Sequence, residues 1–207
     1  MRILDLFCGG GGACQGMMDL GHQVVGWDRQ DFSRYYPGEF HQGDVLDLPA
    51  SYLAEFDLVW ASPPCQPFAT STHITGDRSR HTDLIEPVRD RLLASGRPYI
   101  MENVPAAPIR EDLMLCGSMF DLPLRRHRIF ELEGLECAQP AHQAHRSSDY
   151  VITVAGHTGG RSKRNPNRIF GTAAQWREVM GIDWLPRDIL AQAVPPVYSA
   201  YILMPEG

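Results

Sequence analysis

The 207-residue sequence has no apolar run long enough to span a bilayer. Its N-terminus reads as a strand and lacks the layout of a signal peptide. Five cysteines, Cys8, Cys14, Cys65, Cys116 and Cys137, are odd in number and form no CxxC pair. That pattern argues against a disulfide framework and against a zinc site, and for a reducing compartment. Internal repeats and low-complexity linkers are missing too. No excess of positive charge is present either: the net charge is −6. The average hides an asymmetry. From Cys137 to Phe170, Arg146, Arg161, Lys163, Arg164 and Arg168 face Asp149 alone, a net of +4 that leaves −10 for the remainder. An acidic body with one basic segment suggests a local polyanion contact. A solvated surface loop is the plainer account of any such run.

Met1 to Phe7 reads as a strand, followed by Cys8-Gly9-Gly10-Gly11-Gly12 and a helical pattern. Strand, glycine loop and helix open a nucleotide-binding α/β unit, because glycines let amide groups approach a ligand. The spacing is not GxGxxG, so a dinucleotide fingerprint is not met. A second strand, Gln23 to Asp28, ends in an acid where ribose-binding carboxylates sit. Capping of the next helix would explain Asp28 equally well. A third short strand closes at Gly43-Asp44-Val45. Two acids near one cleft repel phosphate. They favour S-adenosylmethionine, which has a ribose and a sulfonium and no phosphate, over NAD.

Phe56 to Ala61 reads as a buried strand that stops at Pro63-Pro64 and delivers Cys65 to the sheet's C-terminal edge. A thiol there is placed to attack a ligand; a small buried core cysteine is the alternative. The stretch from Ala69 to Thr82 has no periodicity and reads as a lid beside the cysteine. Leu84, Val88 and Leu92 have helical spacing. Arg97 to Val104 is a further strand that ends in Glu102-Asn103. Apolar neighbours should desolvate Glu102 and raise its pKa, which suits a proton holder near neutrality. A structural Glu–Arg pair is the competing account. Alternation from Leu124 to Leu132 places Arg126, Arg128 and Phe130 on one strand face, where both arginines could reach Glu102 and a substrate carbonyl. Farther on, Val151 to Val154 reads as a strand and Gly156 to Asn167 as a loop. Thr172 and Gln175 form a capping-box pattern, and Pro186 suits the first turn of a short helix. The last helix opens at Ala193-Val194-Pro195-Pro196 and is expected to pack on the first strand.

Together these motifs resemble the cytosine-C5 DNA methyltransferase family. Asp5 to Gly12 resembles its cofactor loop, and Ser62 to Phe68 its nucleophile motif. Glu102-Asn103-Val104 and Arg126-His127-Arg128 match two further catalytic motifs. Ala191 to Pro196 resembles the C-terminal motif that folds back on the cofactor site. The resemblance spans nearly the whole chain and implies an α/β fold, the Rossmann-like S-adenosylmethionine-dependent methyltransferase fold. Its sheet would be mixed and mostly parallel, with helices on both faces. It implies three segments: a catalytic and cofactor-binding domain (1–135), a short basic insert (136–168) in place of a target-recognition domain, and C-terminal helices (169–207) packing back.

The implied chemistry assigns the nucleophile to Cys65, the proton holder to Glu102, and ring-carbonyl stabilisation to Arg126 and Arg128. Cofactor contacts fall to Asp5, Phe7, Cys8, Gly9, Gly11, Asp28, Asp44, Pro63, Gln192 and Val194. Nucleic-acid contacts fall to Gln66, Ser71, Arg78, Arg80, Arg146, Arg161, Lys163 and Arg164. The partner is DNA with a flipped cytosine, without metal or membrane, in the cytoplasm of a bacterial or phage-infected cell. Departures are Asp28 where the family usually has Glu, Gln192 where it has Asn, Leu124 where it often has Gln, and the short insert. About 35 residues are too few for an independent core. They point to a very short target, a borrowed recognition subunit, self-association, or a substrate other than duplex DNA: single-stranded nucleic acid, RNA or a free cytosine nucleotide. A non-catalytic cofactor- or DNA-binding accessory protein is the alternative outside enzymology.

Overall fold

The structure is a computed structural model and describes residues 1–68, 82–155 and 166–204. Seven strands form one sheet in the order β3-β2-β1-β4-β5-β7-β6. These are β1 (Arg2–Leu6), β2 (Gln23–Asp28), β3 (Glu39–Gln42), β4 (Leu58–Ala61), β5 (Tyr99–Asn103), β6 (Leu113–Leu115) and β7 (Arg128–Glu133). The first five run parallel; β7 is antiparallel to both β5 and β6. The order reverses between β1 and β4, which opens a crevice at their C-terminal ends.

Alternation along the buried strands splits the core in two. Ile3, Trp60, Ile100 and Phe130 face α1 (Gly12–Asp19) and α6 (Pro196–Leu203). Leu4, Val59, Met101 and Ile129 face α2 (Ala50–Leu53) and α3 (Ile85–Ser95). Helix α3 buries Ile85, Val88 and Leu92, one stripe at helical spacing, and stops at Gly96 in the left-handed conformation. Pro87 falls in its first turn, where a missing N–H costs little.

Helix α6 packs mainly on α1, and its Tyr198 and Ile202 join Ile3 of the first strand in one apolar cluster. The reason is close approach. A Cβ on Gly16 would lie 2.0 Å from the Pro196 carbonyl oxygen, and one on Gly12 would lie 2.3 Å from that of Val194. Part of the glycine run therefore serves helix packing.

A third apolar cluster joins Ile152 and Val154 to Trp176, Val179 and Leu190. These come from β8 (Val151–Ile152) and its neighbour, α4 (Ala173–Met180) and α5 (Arg187–Leu190). β8 pairs in parallel with β9 (Arg168–Ile169). The capping box that opens α4 is formed: Gln175 N–H donates to Thr172 Oγ1 (3.2 Å), and Thr172 N–H to Gln175 Oε1 (2.9 Å). Pro186 stands one residue outside α5 as its N-cap, and Pro196 is the first residue of α6.

Candidate active site

The crevice at the β1/β4 switch point is a single cleft of about 310 Å³. One end is built by the glycine loop. Phe7 and Gly9 both adopt positive φ, 58° and 51°, which turns the chain sharply after β1. Gly9 N–H donates to Asp28 Oδ2 (3.0 Å), and Gln30 N–H donates to Asp28 Oδ1 (2.9 Å). Asp28 thus ties two loops together while it lines the cleft. Asp44 also lines it, lying two residues beyond the end of β3, where its carboxylate caps a short 3-10 turn through Leu46 N–H.

Asp5 lies beneath the loop and is buried, and Tyr36 donates its hydroxyl to Asp5 Oδ2 at 3.0 Å. Burial pushes the Asp5 carboxyl up to about 7, against the opposing pull of the Tyr36 hydrogen bond. From the C-terminal segment, Gln192 and Val194 reach the same cleft. Trp184 Nε1 donates to the Gly10 carbonyl (3.1 Å) and pins the loop from outside.

The other end holds the cysteine. Ser62 N–H donates to the Leu6 carbonyl (3.1 Å), and Asn103 Nδ2 donates to the Pro63 carbonyl (3.0 Å). Both bonds lock the Pro-Pro-Cys turn against the neighbouring strands. Cys65 is partly buried, and burial pushes its thiol up, with Arg128 the largest opposing influence. Glu102 is buried on β5, opposite Phe130 of β7, so it shares a face with Arg128 two residues away. Arg128 Nε contacts Glu102 Oε1 at 2.7 Å. Burial raises the Glu102 carboxyl above its usual range despite Arg128, Arg126 and a hydrogen bond from Ser62.

Arg126 departs from the expectation that it shares Arg128's strand face. It precedes β7, which begins at Arg128. Its guanidinium donates to the carbonyls of Ala191 (2.8 Å) and Val154 (3.4 Å). It is buried and does not line the cleft, and burial pulls its pKa down to about 9. Gly11 does not line the cleft either. Its φ of 81° caps α1, and a Cβ there would meet Pro37 at 2.3 Å.

Phe7, Cys8, Gly9, Pro63 and Gln66 do line it, and among the described residues the buried Gln66 Oε1 has no hydrogen-bond partner. Arg146 is exposed, with its backbone bonded to Arg125 and Asp149. Ser71, Arg78, Arg80, Arg161, Lys163 and Arg164, with most of the expected lid, lie outside the described residues. A second groove of about 550 Å³ runs on the other side of Arg128, between Phe68 and Val104–Ala106 and the β8 segment. Arg125, Arg126 and Arg168 also border it.

Sequence reasoning missed Tyr36, Asn103 and Trp184, which orient the residues that line the cleft. Asn103 stands inside a motif already singled out. Tyr36 and Trp184 carry no local signal, because their partners lie 31 and 174 residues away.

This strand order, with its cleft at the switch point, defines a Rossmann-like methyltransferase fold. The solved structures similar to it belong to that class. The chain aligns over 98% of its length with Spodoptera frugiperda DNMT2 (a mutant; 13% identity, TM-score 0.62, 98% of that chain). It aligns equally far with S. pombe Dnmt2 methyltransferase (14%, TM-score 0.64, 96% of that chain). A third is a putative DNA modification methyltransferase encoded within an E. coli prophage (14%, TM-score 0.63, 98% of this chain and 97% of that one). No curated protein matches. The model of the C-5 cytosine-specific DNA methylase family matches residues 1–108, and the chain belongs to that family of S-adenosylmethionine-dependent methyltransferases. Among the described residues no helix is long and apolar enough to cross a membrane.

Proposed function

We propose that this protein methylates C5 of cytosine in DNA through a covalent adduct between Cys65 and C6 of the base. The observation that carries the proposal is the continuity of the cleft: the glycine loop with Asp5 and Asp28 at one end, Cys65, Glu102 and Arg128 at the other. The donor set suits S-adenosylmethionine. Carboxylates accept ribose hydroxyls and attract a sulfonium, and would repel phosphate. When bound, the cofactor supplies an electrophilic methyl group.

The remaining chemistry belongs to the chain. Cys65 loses its thiol proton to solvent, helped by the positive charge of Arg128 against the effect of burial, as its sulfur bonds to C6; the C5–C6 π pair moves toward C5, which becomes nucleophilic. Glu102, holding a proton because it is desolvated, hydrogen-bonds the ring at N3 and stabilises the adduct. Arg128 orients Glu102 and offers positive charge to the ring carbonyl. Once C5 carries the methyl group, its proton leaves to solvent, the C–H electron pair restores the C5–C6 double bond, and Cys65 departs with the electrons of the S–C6 bond. Arg126 acts at one remove: it ties the 126–128 turn to the C-terminal segment that closes the cofactor end. The second groove, bordered by arginines and sharing Arg128 with the cleft, is the route for a flipped base and its flanking phosphates.

The short insert favours a second reading, the same chemistry on single-stranded nucleic acid or RNA. The prophage relative favours a bacterial or phage setting for either reading. Trapping tests both. Fluorine at C5 blocks the final elimination, so 5-fluorocytosine in duplex DNA, single strands and RNA should give a denaturant-resistant complex with the preferred substrate. Cys65→Ala should give none. Methyl transfer that survives Cys65→Ala would sink the adduct; a trap with RNA alone would move the substrate.

A further inference from the structure

Four side chains outside the cleft converge on one point. His142 Nε2 lies 3.2 Å from His145 Nε2, which lies 3.2 Å from His127 Nε2 and 3.5 Å from Cys116 Sγ. All four ligand atoms fall within 4.8 Å of one another. Hydrogen bonding does not explain the arrangement. A neutral imidazole Nε2 has either one proton or one lone pair, so His145 cannot satisfy three facing partners at once. The three contacts of His145 fit a missing centre instead, which would draw the widest pair of ligand atoms together on binding. Bonds of about 2.0–2.1 Å to nitrogen and 2.3 Å to sulfur at tetrahedral angles set N···N near about 3.3 Å and S···N near about 3.5 Å. The rings radiate accordingly, with interplanar angles of 75° to 89° and centroids 4.8 to 5.2 Å apart.

We propose that Cys116, His127, His142 and His145 bind one zinc ion in a closed tetrahedral site that fastens the segment after β7 to the catalytic strand. One soft thiolate with three imidazoles in a tetrahedral array selects zinc among the common divalent metals. Four protein ligands leave no open position, so the role is structural. Ser118 hydroxyl donates to the sulfur at 3.4 Å, as a supporting partner of a thiolate ligand should. Residues 134–150 contain no helix or strand, and a metal can order such a segment where too few apolar side chains exist to do so. The attachment point matters. His127 separates Arg126 from Arg128, and its carbonyl accepts a hydrogen bond from Arg128 Nη1 at 2.9 Å. Under the function proposed above, the ion therefore holds Arg128 ready for Glu102.

Metal analysis of the full chain expressed with zinc should find about one zinc per chain, falling to near none in His142→Ala/His145→Ala. Cobalt-exchanged protein should show the visible bands of a tetrahedral ion and a thiolate charge-transfer band that Cys116→Ser removes. Chelation should lower the melting temperature of the wild type, a readout available even if the double variant misfolds. Metal-free wild type that takes up no zinc on titration would overturn the proposal. So would zinc retained by the double variant, or a different metal bound stoichiometrically. None of these readouts depends on methyl transfer, so failure of the assigned activity and failure of the metal site are separable.

Discussion

Glu102 and Glu131 sit on adjacent antiparallel strands, both buried and both next to an arginine, yet their environments pull them opposite ways. Glu131 faces α3. Arg89 grips both its oxygens (3.0 and 2.8 Å), Tyr99 hydroxyl donates to Oε1 (2.7 Å) and Arg110 N–H to Oε2 (2.9 Å). Those bonds outweigh burial and hold the carboxyl down at about 2. Glu102 faces the cleft with an ion pair to Arg128 and a hydrogen bond from Ser62, and burial wins. The lesson is that an arginine contact does not by itself make a glutamate structural. What decides is whether every oxygen lone pair is saturated by donors, which freezes the charge, or left short of them, which keeps a proton available.

The largest expected effect is on chemistry. Glu102→Gln should lower kcat by about 10²–10⁴-fold in the labelled-methyl assay, the usual contribution of a general acid, with little change in unfolding free energy. Equal loss of stability and activity would erase the contrast with Glu131.

Asp5 extends the comparison to a third carboxyl. Its folded pKa of about 7 lies above the ordinary 3.8, so the folded state binds a proton that the unfolded chain has released between those values. Stability from this group is complete below the lower value and lost as pH rises through about 7, by as much as about 4 kcal/mol. Denaturant titrations at several pH values should show that decline, and Asp5→Asn should flatten it.

Glu131→Gln should cost about 3 kcal/mol in unfolding free energy by taking the buried charge from a site with four donors and leaving Arg89 only Glu86 as an ionic partner, while the specific activity of the folded fraction stays near wild type. Glu131 has the opposite sign to Asp5. Its folded pKa is depressed, so its contribution is present above the ordinary 4.5 and disappears as pH falls through about 2. The variant should therefore lose part of the wild type's acid-limb slope. Smallest of all, Tyr99→Phe removes one of the four donors and should cost about 1 kcal/mol by the same denaturant measurement. A larger loss would mean that the network acts as a unit.

Local signals were legible because they depend on neighbours in the chain. The bounds of β2, the Thr172/Gln175 capping box and the Val88 and Leu92 positions on α3 follow from periodicity or turn chemistry within a few residues, whereas Leu84, read into the same stripe, is the N-cap and Ile85 takes its place. Arg126 was misplaced because alternation predicts a strand face only while the strand lasts, and β7 begins two residues later. The glycine run reads as one ligand loop in the sequence. In space Gly9, Gly10 and Gly12 line the cleft, while Gly12 also packs against the Val194 carbonyl just before α6, and Gly16, beyond the run, packs against α6 itself.

By itself, the order of residues determined which chemical groups are present, which stretches favour strand or helix, and that a proline-stiffened thiol follows a buried strand. Those properties are set by bonds and rotamers close along the chain. Only the tertiary structure decided which groups meet. It paired Glu102 with Arg128, left Arg126 to two carbonyls, and gathered Cys116 with three histidines from separate segments into a cluster that no CxxC spacing announces. The physical reason is that hydrogen bonds and metal coordination act over a few ångströms of space, and folding brings residues such as Arg126 and Ala191, 65 positions apart, within that range.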